Sequence, residues 1–195
     1  MSFSSRCAGP EAPARRAAAL ALLAAICAAS EATESPAAVP PSEVRADLPG
    51  ARLQGQGQLR FLGLLVYDIR LWSSLQLRAD DPMRTEAALE IEYARRFKGP
   101  LIAERSLAEM QRVGAVSASD SEHWLRQMKQ LFPDVETGDR ITCVHRPGRG
   151  ARFHVNGRLA GEVRDAEFAR LFFGIWLSTR TSEPQLRTAL LGPGS

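Results

Sequence analysis

Cysteine is scarce in this chain: there are three in 195 residues, and two of them, Cys7 and Cys27, fall within the first thirty positions. A segment left with Cys143 alone forms no internal disulfide, so a hydrophobic core has to hold it together. Histidine is equally sparse. His123, His145 and His154 have no metal-ligand spacing to one another, and no metal or cofactor is expected. After residue 30 no run approaches the ~20 apolar residues of a membrane-crossing helix, so stable membrane insertion of the mature chain is not expected. No basic stripe with interleaved aromatics occurs, which argues against nucleic acid as a partner. Ser106, Ser178 and Ser182 sit in no nucleophile elbow.

What is present begins with an address. Arg15-Arg16 precedes an Ala/Leu-rich run of signal-peptide length, followed by small residues, so residues 1–29 are predicted to be an export signal. Ile26 before Cys27 is too bulky for lipoprotein processing. Cleavage after Ala29 removes Arg6, Arg15, Arg16 and Glu11, which takes the formal charge from +3 to +1. A periplasmic or secreted location follows. Residues 30–47, rich in Ala, Pro, Glu and Ser, read as a disordered linker, and 48–195 as one domain.

Within that domain the best-specified stretch runs from Gly150 to Leu177. Asn156-Gly157 is a strong two-residue hairpin signal, because both turn positions need positive φ. Asp165 is placed to cap a helix carrying Phe168, Leu171, Phe172, Ile175 and Trp176 at helical spacing. That helix is apolar nearly all round and should be buried against the hairpin. Upstream, Leu53, Gly55, Gly57, Leu59 and Phe61 alternate with polar residues in a period of two, and both faces turn apolar past Leu62. Two strands joined near Gly63 or one long bent strand both fit, and the glycines leave room for a bulge or for another surface. Leu89, Ile91 and Tyr93 alternate too. Helices are predicted from about Pro100 to Val113, from a Ser119/Glu122 capping box to Phe132, and after a Ser182 cap. The pattern is that of an α+β domain with a sheet wrapped on its buried helix.

Few constellations carry chemistry. If Pro147–Gly150 is a four-residue hairpin loop, Cys143 faces His154, a pairing that permits a reactive thiolate but more simply packs a cysteine beside a strand histidine. Lys98-Gly99-Pro100 reads first as a plain helix N-terminus, with a small-anion site on its exposed amides as the alternative. Arg52 and Arg60 beside the Gly-rich strand are candidates to grip a carboxylate.

The ordered signatures L-x-G-x-G-x-L-R-F-x-G-x-x-V-Y-D-x-R-L-W, F-K-G-P-L-I-A-E-R-S-L-A-E-M, F-P-D-V-x-x-G-D-R-I-T and R-F-x-x-N-G-R-L-x-G-E-V-x-D-x-E-F-A-R-x-F-F-G-I-W-L-x-x-R-T-S-E-P-x-L-R-x-A-L-L-G, spread from about Leu53 to Gly192, resemble the bacterial chalcone isomerase-like proteins. The resemblance implies an open-faced β-sandwich: a large antiparallel sheet with helices on one side and a ligand cleft between the two layers. The plant enzymes of that fold use an arginine, a threonine, a tyrosine, an asparagine and a late hydroxyl. Gapless matching sets the tyrosine at Ile102, the asparagine at Glu109 and the threonine at Phe61 or Leu62. The late hydroxyl falls within Leu171–Gly174, which contains none, and only a small shift brings Arg52 to the arginine. With those polar groups gone, nothing orients a phenolate or polarises a ketone, and no catalytic residue is assigned.

The same fold houses non-catalytic members similar to fatty-acid-binding proteins, whose apolar cleft takes an acyl chain and whose arginine takes its carboxylate. By that resemblance Phe61, Leu62, Leu64, Val66 and Ile102 would line the cleft, Arg52 or Arg60 would supply the charge, and Tyr67 a hydroxyl. The leading reading is an exported, non-catalytic protein binding a fatty acid or similar amphipathic small molecule. Two alternatives stay open. One is an isomerase or lyase with a different constellation, around Arg52, Tyr67 or the Cys143–His154 pair. The other is an envelope interaction protein that takes no ligand.

Overall fold

The computed structural model describes residues 38–192; the expected export signal and the first part of the expected linker lie outside them. Six strands follow one another in an antiparallel meander: β1 (Arg52–Phe61), β2 (Leu64–Ser73), β3 (Ala87–Tyr93), β4 (Arg140–Arg146), β5 (Gly150–Val155) and β6 (Arg158–Val163). Helices α2 (Gly99–Val113), α3 (Ala118–Leu131), α4 (Ala166–Leu177) and α5 (Pro184–Leu191) complete the layer that shares the large core, while the short α1 (Ser42–Asp47) packs on the other face.

The strongest local signals do what their chemistry requires. Asn156 and Gly157 both take positive φ and join β5 to β6 as a two-residue turn. Asp165 caps α4 by accepting from the amides of Glu167 (2.9 Å) and Phe168 (3.0 Å), and its second oxygen takes the Trp124 indole N–H at 2.9 Å. Every residue of α4 from Phe168 to Leu177 except Arg170 is buried. Each of its large apolar side chains contributes on the order of 1.5–3 kcal/mol by leaving water, which is why this helix anchors the layer.

The Gly-rich stretch resolves into a hairpin, with Leu62 and Gly63 in the left-handed region between β1 and β2. Gly55 and Gly57 are where a helix arrives. A Cβ on Gly55 would collide with the backbone carbonyls of Ala189 and Leu190, and one on Gly57 with the Leu186 side chain. A bulge between Leu53 and Gly55 breaks the expected alternation, so Leu53 joins the core on the outer face with Val44 and Trp72.

Four expectations need correction. The linker does not extend to Asp47: Ser42–Asp47 is helical, with Val44 fully buried among Trp72, Ala88 and Val144. Cys143 does not face His154. The β4–β5 connection has three residues, since Arg146 pairs with Gly150, so Cys143 opposes Phe153 and His154 opposes Thr142. One residue of register moves a side chain to the other face of the sheet. Cys143 is thus entombed in the helix-side core, where burial pushes its thiol well above the usual range, while His154 sits on the outer face near Asp47. The α3 cap is Ser117, not Ser119; its hydroxyl accepts from the Asp120 amide at 3.0 Å. Ser182 does not cap α5, whose N-terminal flank is Glu183, with Thr181 accepting from the Glu183 amide.

On the outer face, ion pairs flank the small apolar cluster around Val44 and Trp72. Glu43 on α1 takes the Arg140 guanidinium at 2.9 Å and the Thr142 hydroxyl at 2.9 Å. Burial pushes its carboxyl up, but hydrogen bonds from its own backbone amide, Thr142 and Arg140, with the Arg140 charge, outweigh that and hold it below the ordinary carboxylate range. Asp47 binds Arg152 at 2.6 Å and Arg146 at 3.2 Å. These pairs dock α1 onto β4 and β5.

Candidate functional site

The helices meet the sheet tightly at one end and loosely at the other. At the C-terminal end of α2, a Cβ on Gly174 would lie 2.7 Å from a methyl of Val113, so the Val113 side chain packs directly on the α4 backbone there. Beside the first three turns of α2 the space is not filled. A cavity of about 380 Å³ lies there, near the small end of the ~300–1,000 Å³ typical of small-molecule sites.

Its floor is the inner face of the sheet: Tyr67 from β2, Ile91 and Tyr93 from β3, and Ile141 from β4. The roof comes from α4 (Phe172, Ile175, Trp176) and from the Leu101, Ile102, Arg105, Ser106 and Glu109 positions of α2. Exposed Phe61, Arg60 and Leu101 mark the mouth. The N-terminus of α2 is pinned in place. The Gly99 amide donates to Asp134 at 3.0 Å, and Lys98 binds the other oxygen of that carboxylate at 2.7 Å. The anion site read from Lys98-Gly99-Pro100 is therefore filled by the chain's own Asp134.

The polar side chains lining the cavity are phenols, hydroxyls and guanidinium groups, together with the carboxylates of Glu109 and Glu183. The Tyr67 hydroxyl accepts the Trp176 indole N–H at 2.9 Å, which orients the phenol and leaves its own proton to donate. Burial, opposed by that hydrogen bond and assisted by Glu183, pushes the Tyr67 phenol up to about 12. Tyr93 packs edge-on to it with ring centroids 6.1 Å apart, and burial, together with the Tyr67 phenol, drives its phenol higher still. Both tyrosines are neutral at physiological pH. Among the described residues the Tyr93 hydroxyl makes no hydrogen bond, so it stands as an unused donor on the floor. Glu109 is buried but held between Arg105 (2.7 Å) and Arg112 (3.3 Å). Arg105 itself is largely exposed and keeps further N–H donors. The Ser106 hydroxyl returns to the Ile102 carbonyl at 2.8 Å, a bond within the helix.

Of the candidates read from the sequence, Arg60, Phe61, Tyr67 and Ile102 line this cavity, as does Val66. Leu62 and Leu64 do not: they are 86 % and 52 % exposed on the β1–β2 turn. Arg52 lies at the far end of β1, opposite Ser73 and roughly 27 Å along the strand from Arg60. Arg105, Glu109, Tyr93 and Trp176 were missed. Ile102, Arg105 and Glu109 do follow a helical i, i+3, i+7 spacing beside the apolar Ala103/Leu107/Met110 stripe, but two charges on a helix face read as solvated. Gapless matching had already set Ile102 and Glu109 at cleft positions of the plant enzymes, and both are cavity residues here.

Comparison with known proteins agrees with this fold. The model of a family described as chalcone isomerase-like matches residues 53–192. A protein of Haemophilus influenzae, described as uncharacterized, is 29 % identical over 104 residues, 53 % of this chain and 50 % of that one. The chain thus spans about half the length of that curated relative. Among solved structures, a fatty-acid binding protein of Arabidopsis thaliana superposes with a TM-score of 0.61 over 80 % of this chain and 90 % of that one, at 16 % identity. That likeness shows a shared fold.

Proposed function

The chain belongs to the chalcone isomerase-like family, and on that premise we propose that it is an exported, non-catalytic binder of a fatty acid or a similarly amphipathic carboxylate. The single observation that carries this reading is the cavity: a largely apolar chamber bordered by the Arg105 guanidinium and the Tyr67 hydroxyl, with Glu109 held by Arg105 and Arg112 and the Glu183 carboxylate also in its lining. A general base needs a pKa near the working pH, and the phenols here are far above it. Among the described residues no histidine, cysteine or lysine lines the chamber, and of its two carboxylates Glu109 is already paired with arginines. A carboxylate at the rim would meet Arg105, with the Tyr67 phenol as a second donor, and its tail would lie against Ile91, Ile102, Ile141 and Phe172. The plant structural neighbour, by its title a fatty-acid binding protein, supports a ligand of this class.

Displacement of a fluorescent fatty acid from delipidated protein tests the reading. We expect dissociation constants of about 1 μM, and no binding up to ~100 μM would sink it. Arg105→Gln should weaken a free fatty acid about tenfold and leave its methyl ester unaffected, because a hydrogen bond to a charged partner contributes roughly 1.5–3 kcal/mol. Export rests on the N-terminal sequence and is checked by the mass of the chain recovered from the periplasm, which should lack the residues up to Ala29.

A further inference from the structure

The β1–β2 hairpin ends in an apolar tip that the fold leaves uncovered. Phe61 is 67 % exposed, Leu62 86 % and Leu64 52 %, and Leu101 across the cavity mouth is 60 % exposed. These are four of the seven large apolar side chains exposed among the described residues, so more than half of that surface is gathered around one opening. Clusters of this kind mark interaction sites, whereas singly scattered apolar residues do not. Leu62 occupies a left-handed turn position at φ 49°, where a polar Asn or Asp would be the ordinary choice. The apolar residue is therefore not there to make the turn.

Cations surround the tip. Arg60 donates to the Gly63 carbonyl and to Gln58, and Arg95 donates to the Leu65 carbonyl at 2.9 Å. Neither pairs with a carboxylate among the described residues. Arg105 stands on the same rim with its charge shared with Glu109. The nearby carboxylates are Glu183 in the lining and Asp68, which accepts from Gln58.

We propose that the Phe61–Leu64 hairpin tip inserts into the surface of an anionic lipid bilayer, with Arg60 and Arg95 at headgroup level, so that the cavity mouth opens onto the membrane. Apolar side chains enter the headgroup–acyl boundary while arginines remain with the phosphates, the arrangement expected of a peripheral anchor. Phe61 belongs both to the tip and to the cavity wall. An amphipath leaving the bilayer along it need not cross water. The proposal builds on the cavity reading above but does not require it.

The test uses full-chain, delipidated protein carrying Leu62→Trp, with no fatty acid added. On vesicles of phosphatidylglycerol and phosphatidylcholine, the introduced indole should shift its emission to shorter wavelength and be quenched by bromine-labelled acyl chains. Because the readout sits on the hairpin, adsorption through any other segment leaves it unmoved. Phosphatidylcholine-only vesicles should bind at least fivefold more weakly, and Arg95→Gln should lose about fivefold on the anionic vesicles. Leu62→Asp, at an exposed position, should cut binding to anionic vesicles at least tenfold. An indole indifferent to vesicles overturns the proposal. So does self-association in sedimentation that Leu62→Asp abolishes without any vesicle response, which would assign the tip to a second copy of this chain. Failure of fatty-acid displacement with vesicle binding intact removes only the cavity reading, and the reverse result removes only this one.

Discussion

The layer between sheet and helices has two ends built from similar residues to opposite effect. Under α4, toward β5 and β6, rings fill the space. Phe153 meets Phe172 edge-on at 5.2 Å, Phe168 stacks on Phe172 at 5.6 Å, and Trp124 closes on Phe168 at 5.7 Å. Under the first turns of α2, toward β1 and β2, isoleucines and two tyrosines surround a void. Phe172 belongs to both ends. The difference is one of backbone approach: glycines bring α4 against α2 and α5 against β1, whereas Gly99 and Asp134 hold the start of α2 against the Phe132–Asp134 segment and not down on the sheet. Dispersion and burial at the filled end stabilise the fold, which lets the other end stay hollow.

Substitutions at the two ends should therefore separate stability from binding. The largest effect belongs to the filled end: Phe168→Ala should cost about 3–5 kcal/mol in urea unfolding, and a loss below ~1 kcal/mol would mean that the rings are not tightly packed. Gly55→Ala should follow at about 1–3 kcal/mol, because the added methyl meets α5 backbone rather than a flexible side chain. A mutant as stable as the parent would show that α5 can move. At the hollow end, Ile102→Trp should fill the chamber, lower fatty-acid affinity tenfold or more in the displacement assay, and change unfolding by less than ~1 kcal/mol. An equal loss of stability would erase the distinction between the ends.

Acid gives the mildest probe. Burial lowers the His145 pKa, outweighing the raising effects of its bond to the Met83 carbonyl and of Glu86, and the ring packs 4.9 Å from Phe173 at the filled end. Burial also lowers that of His154, against the raising influence of Asp47 and Glu43. The unfolded chain then takes up protons that the folded one refuses. Stability should be level above about pH 7 and decline as pH falls below ~6.5. Thermal melts from pH 7.5 to 5 check this, and His145→Gln should flatten the decline. Fatty-acid affinity should be nearly constant over pH 6–8, since the cavity phenols stay protonated throughout.

Much of this was readable from residue patterns, and the failures have two causes: partners distant in the chain, and a loop and caps displaced by one or two residues. Hairpins, the Asp165 cap and the buried α4 follow from neighbours within a few positions. Helix α1 was read as linker because Ser-Glu-Val-Arg-Ala-Asp after two prolines offers a single strongly apolar residue. Its partners, Arg140 and Arg152, lie about a hundred positions away. The Cys143–His154 pairing failed on a loop one residue shorter than assumed. In the cavity, Arg60, Phe61, Tyr67 and Ile102 were legible, whereas Arg105 and Glu109 looked like any solvated helix pair. Arg52 is a strand's length from the mouth.

Local chemistry by itself determined the strands, the four longer helices, the Asp165 cap and the family signature, since turn dihedrals and periodicity depend on residues close in the chain. Only the tertiary structure decided where a void would remain, which charges would border it, and which apolar turn would be left bare beside its opening. Those outcomes depend on how closely separate backbones approach, a property of pairs of elements that no single stretch encodes.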